Sequence, residues 1–304
     1  MYDLIIIGGG PASSSAAIYA ARHNLNAAVV APDAGGQVAQ SWLVENYLGF
    51  PSISGVDLAE KFEEHLSQYG VARVYERAEK VARLEESFQV NTEDGQEIDG
   101  RAVIVTTGRY SRRLGIPGEA EFFHRGVTYC ATCDGPLFAR EVVAVIGGGD
   151  AAVQSAALLS PIATKVYVIS RSPWRAEPAL SAKVSGMANL EALVGYVPLE
   201  VRGTKRVESL VIGEWDGGGT RELSVRGVFV EIGAVPDSKL VEGLARLNSA
   251  GEIIVDAVGR TSVPGLFAAG DVTDTPYKQA ITAAGDGAKA SMAAWEYLLG
   301  AHDR

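Results

Sequence analysis

The sequence predicts an α/β protein with two strand–turn–helix units, the second inserted into the first, and two observations carry that expectation. First, Asp3-Leu4-Ile5-Ile6-Ile7, apolar and mostly β-branched after Asp3, opens onto Gly8-Gly9-Gly10-Pro11-Ala12-Ser13. The same arrangement returns as residues 142–146 followed by Gly147-Gly148-Gly149-Asp150-Ala151-Ala152. A strand, a glycine turn and small residues suited to a closely packed helix open a dinucleotide-binding βαβ unit. Two copies imply two Rossmann-like dinucleotide-binding domains. Second, the stretch 263–271 reads as a strand ending in Gly270-Asp271, followed by a helix of small residues over 280–299. Nothing there completes the second unit, so the chain returns to the first domain. The expected division is 1–113 with 241–304 for the discontinuous domain and 114–240 for the insertion.

The remaining elements follow in order. After the first turn the pattern predicts a helix over 12–23 and a strand over 27–31. A long irregular segment over 35–47, a helix over 56–69 and strands over 86–92 and 102–106 come next. The second unit, 142–235, begins with a helix over 151–159 and a strand over 165–169.

Composition excludes several classes. With 47% hydrophobic and 21% charged residues in 304, the chain is globular, not disordered. Its 35 glycines cluster beside apolar runs, which fits tight turns better than a flexible low-complexity chain. A formal net charge of −10 argues against nucleic acid as a partner. No apolar run approaches the ~18 residues needed to span a bilayer. The N-terminus lacks a basic n-region and reads as a first strand, not a signal peptide, so a cytoplasmic location is expected.

The chain has two cysteines, Cys130 and Cys133, in Cys130-Ala131-Thr132-Cys133-Asp134-Gly135. A secreted disulfide framework would use more of them, spread along the chain. At this spacing two thiols can close a small reversible disulfide, and the adjacent Asp134 is placed to shuttle protons during exchange. Half of a zinc site is the competing reading. It lacks further cysteines and has only His23, His65, His124 and His302 to draw on, so no metal is expected.

In the first turn Gly8 permits the tight bend, and Gly10 permits the backbone to approach a pyrophosphate on the helix N-terminus, ahead of Pro11 and Ala12. The third position holds Ser13, where Gly or Ala is usual, so an ordinary strand–helix turn remains open. The second turn, through Gly147, Gly149, Asp150 and Ala151, is a full match. The strand behind it ends at Ser170-Arg171, with no Asp or Glu. Arg171 and Arg175 are candidates to hold the 2′-phosphate of NADP, and two solvated surface arginines are the alternative.

The Gly270-Asp271 ending resembles the second FAD fingerprint of flavoprotein disulfide reductases. Together the motifs resemble the bacterial-type (low-molecular-weight) thioredoxin reductases over nearly the whole chain. Their landmarks recur in order: residues 8–12, Gly35-Gly36-Gln37, Glu45-Asn46, Thr107-Gly108, Pro117-Gly118-Glu119, the cysteine box, residues 147–152 and 233–236, Gly270-Asp271 and Gln279. The resemblance implies that Gly36, Gln37, Asn46, Thr107, Gly108, Gly270, Asp271 and Gln279 line FAD. For the adenosine ribose, Asp33 is a candidate, although Pro32 intervenes and a solvated loop aspartate is an equal reading.

The resemblance further implies a hydride passed from NADPH to FAD, reduction of the cysteine disulfide, and attack of the dithiol on thioredoxin. Cys133 would face the flavin, Cys130 would attack the partner, and Asp134 would be the acid/base. It implies a homodimer through the FAD domain, and an inserted domain that turns on two linkers near residues 113 and 240. One departure stands out. The family's NADPH signature is His-Arg-Arg, three residues, then Arg, whereas residues 169–175 read Ile-Ser-Arg-Ser-Pro-Trp-Arg, without the His and the first Arg. A lost bidentate phosphate contact lowers NADPH affinity. The alternative is therefore a relative fed by ferredoxin or another donor, or a dithiol oxidase. A non-catalytic flavin redox sensor is a third reading.

Overall fold

The computed structural model describes residues 1–41 and 43–300; His302 and the rest of 301–304 lie outside them. The chain divides into two compact units, Met1–Tyr110 with the chain from Val235 on, and Ser111–Ala234. The two crossings, expected near 113 and 240, fall a few residues earlier.

The first unit opens with β1 (Tyr2–Ile7), α1 (Pro11–Arg22) and β2 (Ala27–Val30). A 3₁₀ turn, Gly36–Gln40, occupies part of the segment expected to be irregular. Helix α2 (Gly55–Leu66) starts on Ser54, whose hydroxyl accepts from the Asp57 N–H, and ends three residues before the expected Tyr69. Strands β3 (Ala72–Val74), β4 (Ala78–Arg83), β5 (Phe88–Thr92) and β6 (Glu97–Val105) complete this half. Neither β3 nor β4 is legible in the sequence, because short strands broken by charged residues carry little apolar signal.

The chain crosses on β7 (Arg109–Ser111) into the second unit, which holds β8 (Val127–Thr128), α3 (Ala131–Asp134), β9 (Val142–Ile146), α4 (Asp150–Leu159) and β10 (Lys165–Ser170). Then come α5 (Pro178–Ser185), β11 (Leu190–Val194), β12 (Tyr196–Gly203), β13 (Val207–Glu214), β14 (Thr220–Ser224) and β15 (Gly227–Val230). The return crossing is β16 (Ala234–Pro236), which pairs with β7. Last come β17 (Leu266–Ala268), shorter than the expected 263–271, and α6 (Ala280–Gly300).

In the first unit the strand order is β3-β2-β1-β6-β5-β4, and β17 also joins β6. Strand β6 serves two sheets in one. Its residues 97–100 pair antiparallel with β5 and alternate exposed and buried, while Val103–Val105 pair parallel with β17 and are buried throughout. The return of the chain to the first sheet is therefore explicit: Leu266 pairs with Val103 and Ala268 with Val105. Along β1 the period of two splits the core, with Leu4 and Ile6 on one face and Ile5 and Ile7 on the other. Phe88 and Phe267 are fully buried there, each contributing about 1.5–3 kcal/mol from burial.

In the second unit β11-β10-β9-β15-β8 form a parallel sheet, with β12-β13-β14 an antiparallel sheet beside it. Ala144 and Ile146 face one core layer, Val143 and Val145 the other. The sheet thus begins at β8, before the residue 142 start read from sequence, and the cysteine helix α3 follows directly on that strand.

Candidate active site

The two glycine turns are the same device. At Gly8 φ is +128° and an added Cβ would lie 2.4 Å from the Thr106 carbonyl oxygen; at Gly147 φ is +146° and the clash is 2.3 Å from that of Glu231. Both turns are pressed onto the neighbouring strand end, so any side chain there would force them apart. Two residues on, at Gly10 and Gly149, no protein atom stands within 4 Å of the absent Cβ. Each of these glycines caps a helix N-terminus, of α1 or α4. Open space, free N–H groups and the positive end of the helix dipole suit a pyrophosphate. The donor sets in both units therefore fit a dinucleotide.

The expected FAD residues of the first unit converge. Gly36 lies against Gly10, its Cβ position 3.2 Å from the Gly10 Cα, and the Gly35 N–H donates to the Gly9 carbonyl at 2.7 Å. The Gln37 amide donates to the Arg109 carbonyl, and the Asn46 Nδ2 donates to Gln279 Oε1 at 3.1 Å. Thr107 Oγ1 donates to the Asp237 carbonyl at 2.6 Å, and the Asp237 N–H returns a bond to Gly108. Gly270, at φ +75°, packs on Ala12 and Ala283. Asp33 sits where β2 runs out, its carbonyl oxygen 2.1 Å from the Cβ position of Gly9 and its side chain exposed.

Asp271 lies 3.4 Å from Arg109 Nε. Burial pushes its carboxyl above the ordinary range, with Arg109 and Lys278 pulling it back. Arg109 is not legible as a site residue in the sequence because its partner is 162 residues away in the chain. Nor is Gly287, whose absent Cβ would sit 2.0 Å from the Ala12 carbonyl oxygen, letting α6 close on α1. Ser13 is buried with its hydroxyl unpartnered, which agrees with its place at a packing position rather than a bonding one.

In the second unit Cys130 and Cys133 form a disulfide with Cα atoms 5.3 Å apart. Cys130 caps α3, and its sulfur accepts from the Cys133 N–H at 3.1 Å. Cys133 is exposed and Cys130 half-buried. Asp134 Oδ2 accepts from the Thr128 hydroxyl, and Thr128 Oγ1 also accepts from the Cys130 N–H at 3.3 Å. Burial raises the Asp134 pKa; the Thr128 bond and the charge of His124 oppose that rise. His124 itself is lowered by burial and by Arg113, against the pull of Asp134. No cluster of three or more metal-ligating side chains occurs among the described residues.

Below the cysteine turn, Glu119 is 4% exposed yet fully engaged. It accepts from the N–H groups of Leu114 and Gly115, each at 2.7 Å, and from the Tyr129 hydroxyl at 2.8 Å. Arg113 donates to the same hydroxyl at 3.0 Å and stacks over the Phe123 and Tyr129 rings. Burial and Glu119 push the Tyr129 phenol up to about 12. The Pro117-Gly118-Glu119 landmark is thus an anchor for the residue preceding Cys130.

At the nucleotide turn of this unit, the Arg175 N–H donates to the Gly148 carbonyl at 2.7 Å and the Glu177 N–H to Asp150 Oδ1 at 2.9 Å. Ala151 is exposed and Ala152 buried, the latter 2.9 Å from the Cβ position of Gly147. The Arg171 guanidinium lies 5.7 Å from the Trp215 ring centroid, a contact made through tertiary structure alone.

Residues 2–287 match the family described as pyridine nucleotide-disulphide oxidoreductase. A Bacillus subtilis NADH dehydrogenase is 38% identical over 98% of this chain and 59% of its own length. The F component of the alkyl hydroperoxide reductase of Pseudomonas aeruginosa is 39% identical over 98% of the chain and 58% of its own length. The chain thus spans under three-fifths of these curated relatives. Among solved structures, thioredoxin reductase from Streptococcus pyogenes is 38% identical with a TM-score of 0.94, covering 99% of both chains. Thioredoxin reductase from Giardia duodenalis is 33% identical with a TM-score of 0.93, covering 98% of this chain and 99% of its own. The chain belongs to the pyridine nucleotide-disulphide oxidoreductase family, in the group that includes the bacterial-type thioredoxin reductases.

Proposed function

We propose that this chain is a FAD-dependent disulfide oxidoreductase that carries two electrons from a reduced pyridine nucleotide through Cys130–Cys133 to a disulfide on thioredoxin or a similar small protein. The first unit, through Gly10, Gly36, Gln37, Asn46, Gly108, Asp271 and Gln279, would hold FAD. The second, through Gly147, Gly149, Asp150, Arg171 and Arg175, would hold the nucleotide. The observation that carries the reading is the oxidised Cys130–Cys133 pair on a one-turn helix beside a half-buried carboxyl, in a chain with two dinucleotide cradles.

FAD, when bound, takes a hydride and hands on two electrons. The chain's residues govern thiol and proton. Reduction of the disulfide yields two thiols and takes up two protons. The Cys130 thiolate attacks the partner's disulfide and releases one partner thiolate. Cys133 then attacks the mixed disulfide, closing the Cys130–Cys133 bond and releasing the second. Asp134, its carboxyl held above the ordinary range, is placed to give a proton to a departing thiolate and take one from the incoming thiol.

Two donors compete. Arginine at the end of β10 favours NADPH, and the relative named NADH dehydrogenase favours NADH. A ferredoxin-fed enzyme is the further alternative. Anaerobic titration with NADPH, NADH and reduced ferredoxin, read by bleaching of the flavin absorbance, separates the three. Bleaching by dithionite but by neither nicotinamide overturns the pyridine-nucleotide half. Turnover with oxidised thioredoxin tests the acceptor half. The family resemblance also supports a homodimer, testable by sedimentation. The paired cysteines, with no others along the chain, agree with a cytoplasmic setting. No helix among the described residues is long and apolar enough to cross a membrane.

A further inference from the structure

We infer that Trp215 is a specificity-determining residue, which holds the Arg171 guanidinium at the carboxyl end of β10 to receive the 2′-phosphate of an adenosine ribose. This rests on the pyridine-nucleotide reading above and deepens it.

Trp215 opens the β13–β14 turn and is 61% exposed, an unusual place for a large aromatic ring that does not fill the core. Its position is nevertheless set by the backbone. The Trp215 N–H donates to the Gly195 carbonyl at 2.7 Å, and the Gly195 N–H donates to the Ser170 carbonyl at 2.8 Å. Two bonds therefore tie the hairpin to the residue immediately before Arg171. The other flank of Arg171 is also fixed. Ser170 Oγ donates to the Ser172 carbonyl at 2.9 Å, Trp174 packs on the core under α4, and the Arg175 N–H is bonded to Gly148 in the glycine turn.

Among the described residues no carboxylate forms an ion pair with Arg171, so none of them neutralises its charge. Its ring contact is Trp215, at 5.7 Å from guanidinium carbon to ring centroid. A long exposed arginine loses rotamer freedom when it grips a phosphate. A cation–π contact with an aromatic face limits that freedom beforehand without engaging the N–H groups that would bond a phosphate. With arginines only at 171 and 175 along residues 169–175, such preorganisation stands in for a further cation. In open α/β sheets the ribose lies outside the carboxyl ends of the strands, which is where Arg171 is placed, one strand from the β9–α4 turn.

The test is calorimetric titration of the FAD-loaded protein with adenosine 2′,5′-bisphosphate and with AMP, which need no turnover. The wild type is expected to bind the bisphosphate more tightly. Trp215→Ala should weaken the bisphosphate by roughly 3- to 5-fold and leave AMP unchanged, and Trp215→Phe should restore most of the loss. On an Arg171→Ala background, Trp215→Ala should add nothing. Equal binding by Trp215→Ala and wild type, or equal weakening of both ligands, overturns the inference. So does a wild type that binds AMP without preferring the bisphosphate, and in that case the nucleotide reading stands. A wild type that binds neither ligand, nor NADPH nor NADH, overturns the nucleotide reading itself.

Discussion

The hydroxyl of Thr128 donates to the carboxylate of Asp134, joining β8 to the last residue of the cysteine helix. The bond favours the ionised carboxyl, while burial favours the protonated one and prevails. Thr128→Val removes the larger of the two opposing influences and leaves the charge of His124, so the Asp134 pKa should rise further. If protonated Asp134 supplies the departing thiolate, activity falls as pH rises through that pKa. The Thr128→Val profile should then lose activity at higher pH than the wild type, and Asp134→Asn should lose this limb and most of the rate. Rapid-reaction reoxidation by thioredoxin across pH reads both.

The same shift has a consequence for stability. A carboxyl raised in the folded state is stabilising below the unfolded pKa, and that stability is lost as pH rises through the folded value. Asp134→Asn, which mimics the neutral form, should therefore melt close to the wild type under acid conditions and at or above it near neutrality. Thermal melts over pH check the sign, and a variant less stable than wild type only at high pH would contradict it.

The two cysteines should separate by role. Cys133→Ser leaves Cys130 to attack without a resolving thiol, so a mixed disulfide with thioredoxin should accumulate and appear as an adduct in intact-mass spectra. Cys130→Ser should give no adduct, and neither variant should turn over. An adduct on Cys133 instead would reverse the assignment.

Gly8 and Gly10 lie two residues apart and should fail differently. Gly8→Ala places a side chain at φ +128° against the Thr106 carbonyl and should cost about 1–3 kcal/mol or more of folding stability. Gly10→Val meets no protein atom at its Cβ, so the fold should persist while the flavin-to-protein absorbance ratio of the purified protein drops. Loss of fold in both would remove the distinction between tight turn and cradle.

Glu119 offers a test of the support beneath Cys130. Glu119→Leu leaves the Leu114 and Gly115 N–H groups and the Tyr129 hydroxyl without their acceptor. Each unsatisfied buried donor costs about 1–3 kcal/mol, so a large drop in denaturation midpoint is expected. Glu119→Gln, which keeps an acceptor oxygen, should lose less.

Sequence is legible where chemistry is written in adjacent residues. Two glycine turns behind β-branched runs, and two cysteines three positions apart beside an aspartate, declare themselves because a strand end, a helix start and a small disulfide are all local. The short strands β3 and β4, the edge strand β11 and the hairpins β12–β13 and β13–β14 do not, since their stability comes from partners across the sheet rather than from their own composition.

By itself, then, the sequence determined the paired α/β units, the two cradles and the dithiol. Tertiary structure decided which charges those features meet. Arg109 reaches Asp271, Thr128 reaches Asp134, Glu119 collects three donors and Trp215 takes Arg171. The reason is physical: how strongly a group holds its charge, and so the pKa or ligand it selects, depends on burial and on the neighbours the fold sets against it, whether from the next turn, as Thr128, or from a distant strand, as Arg109, and neither leaves a periodic trace along the chain.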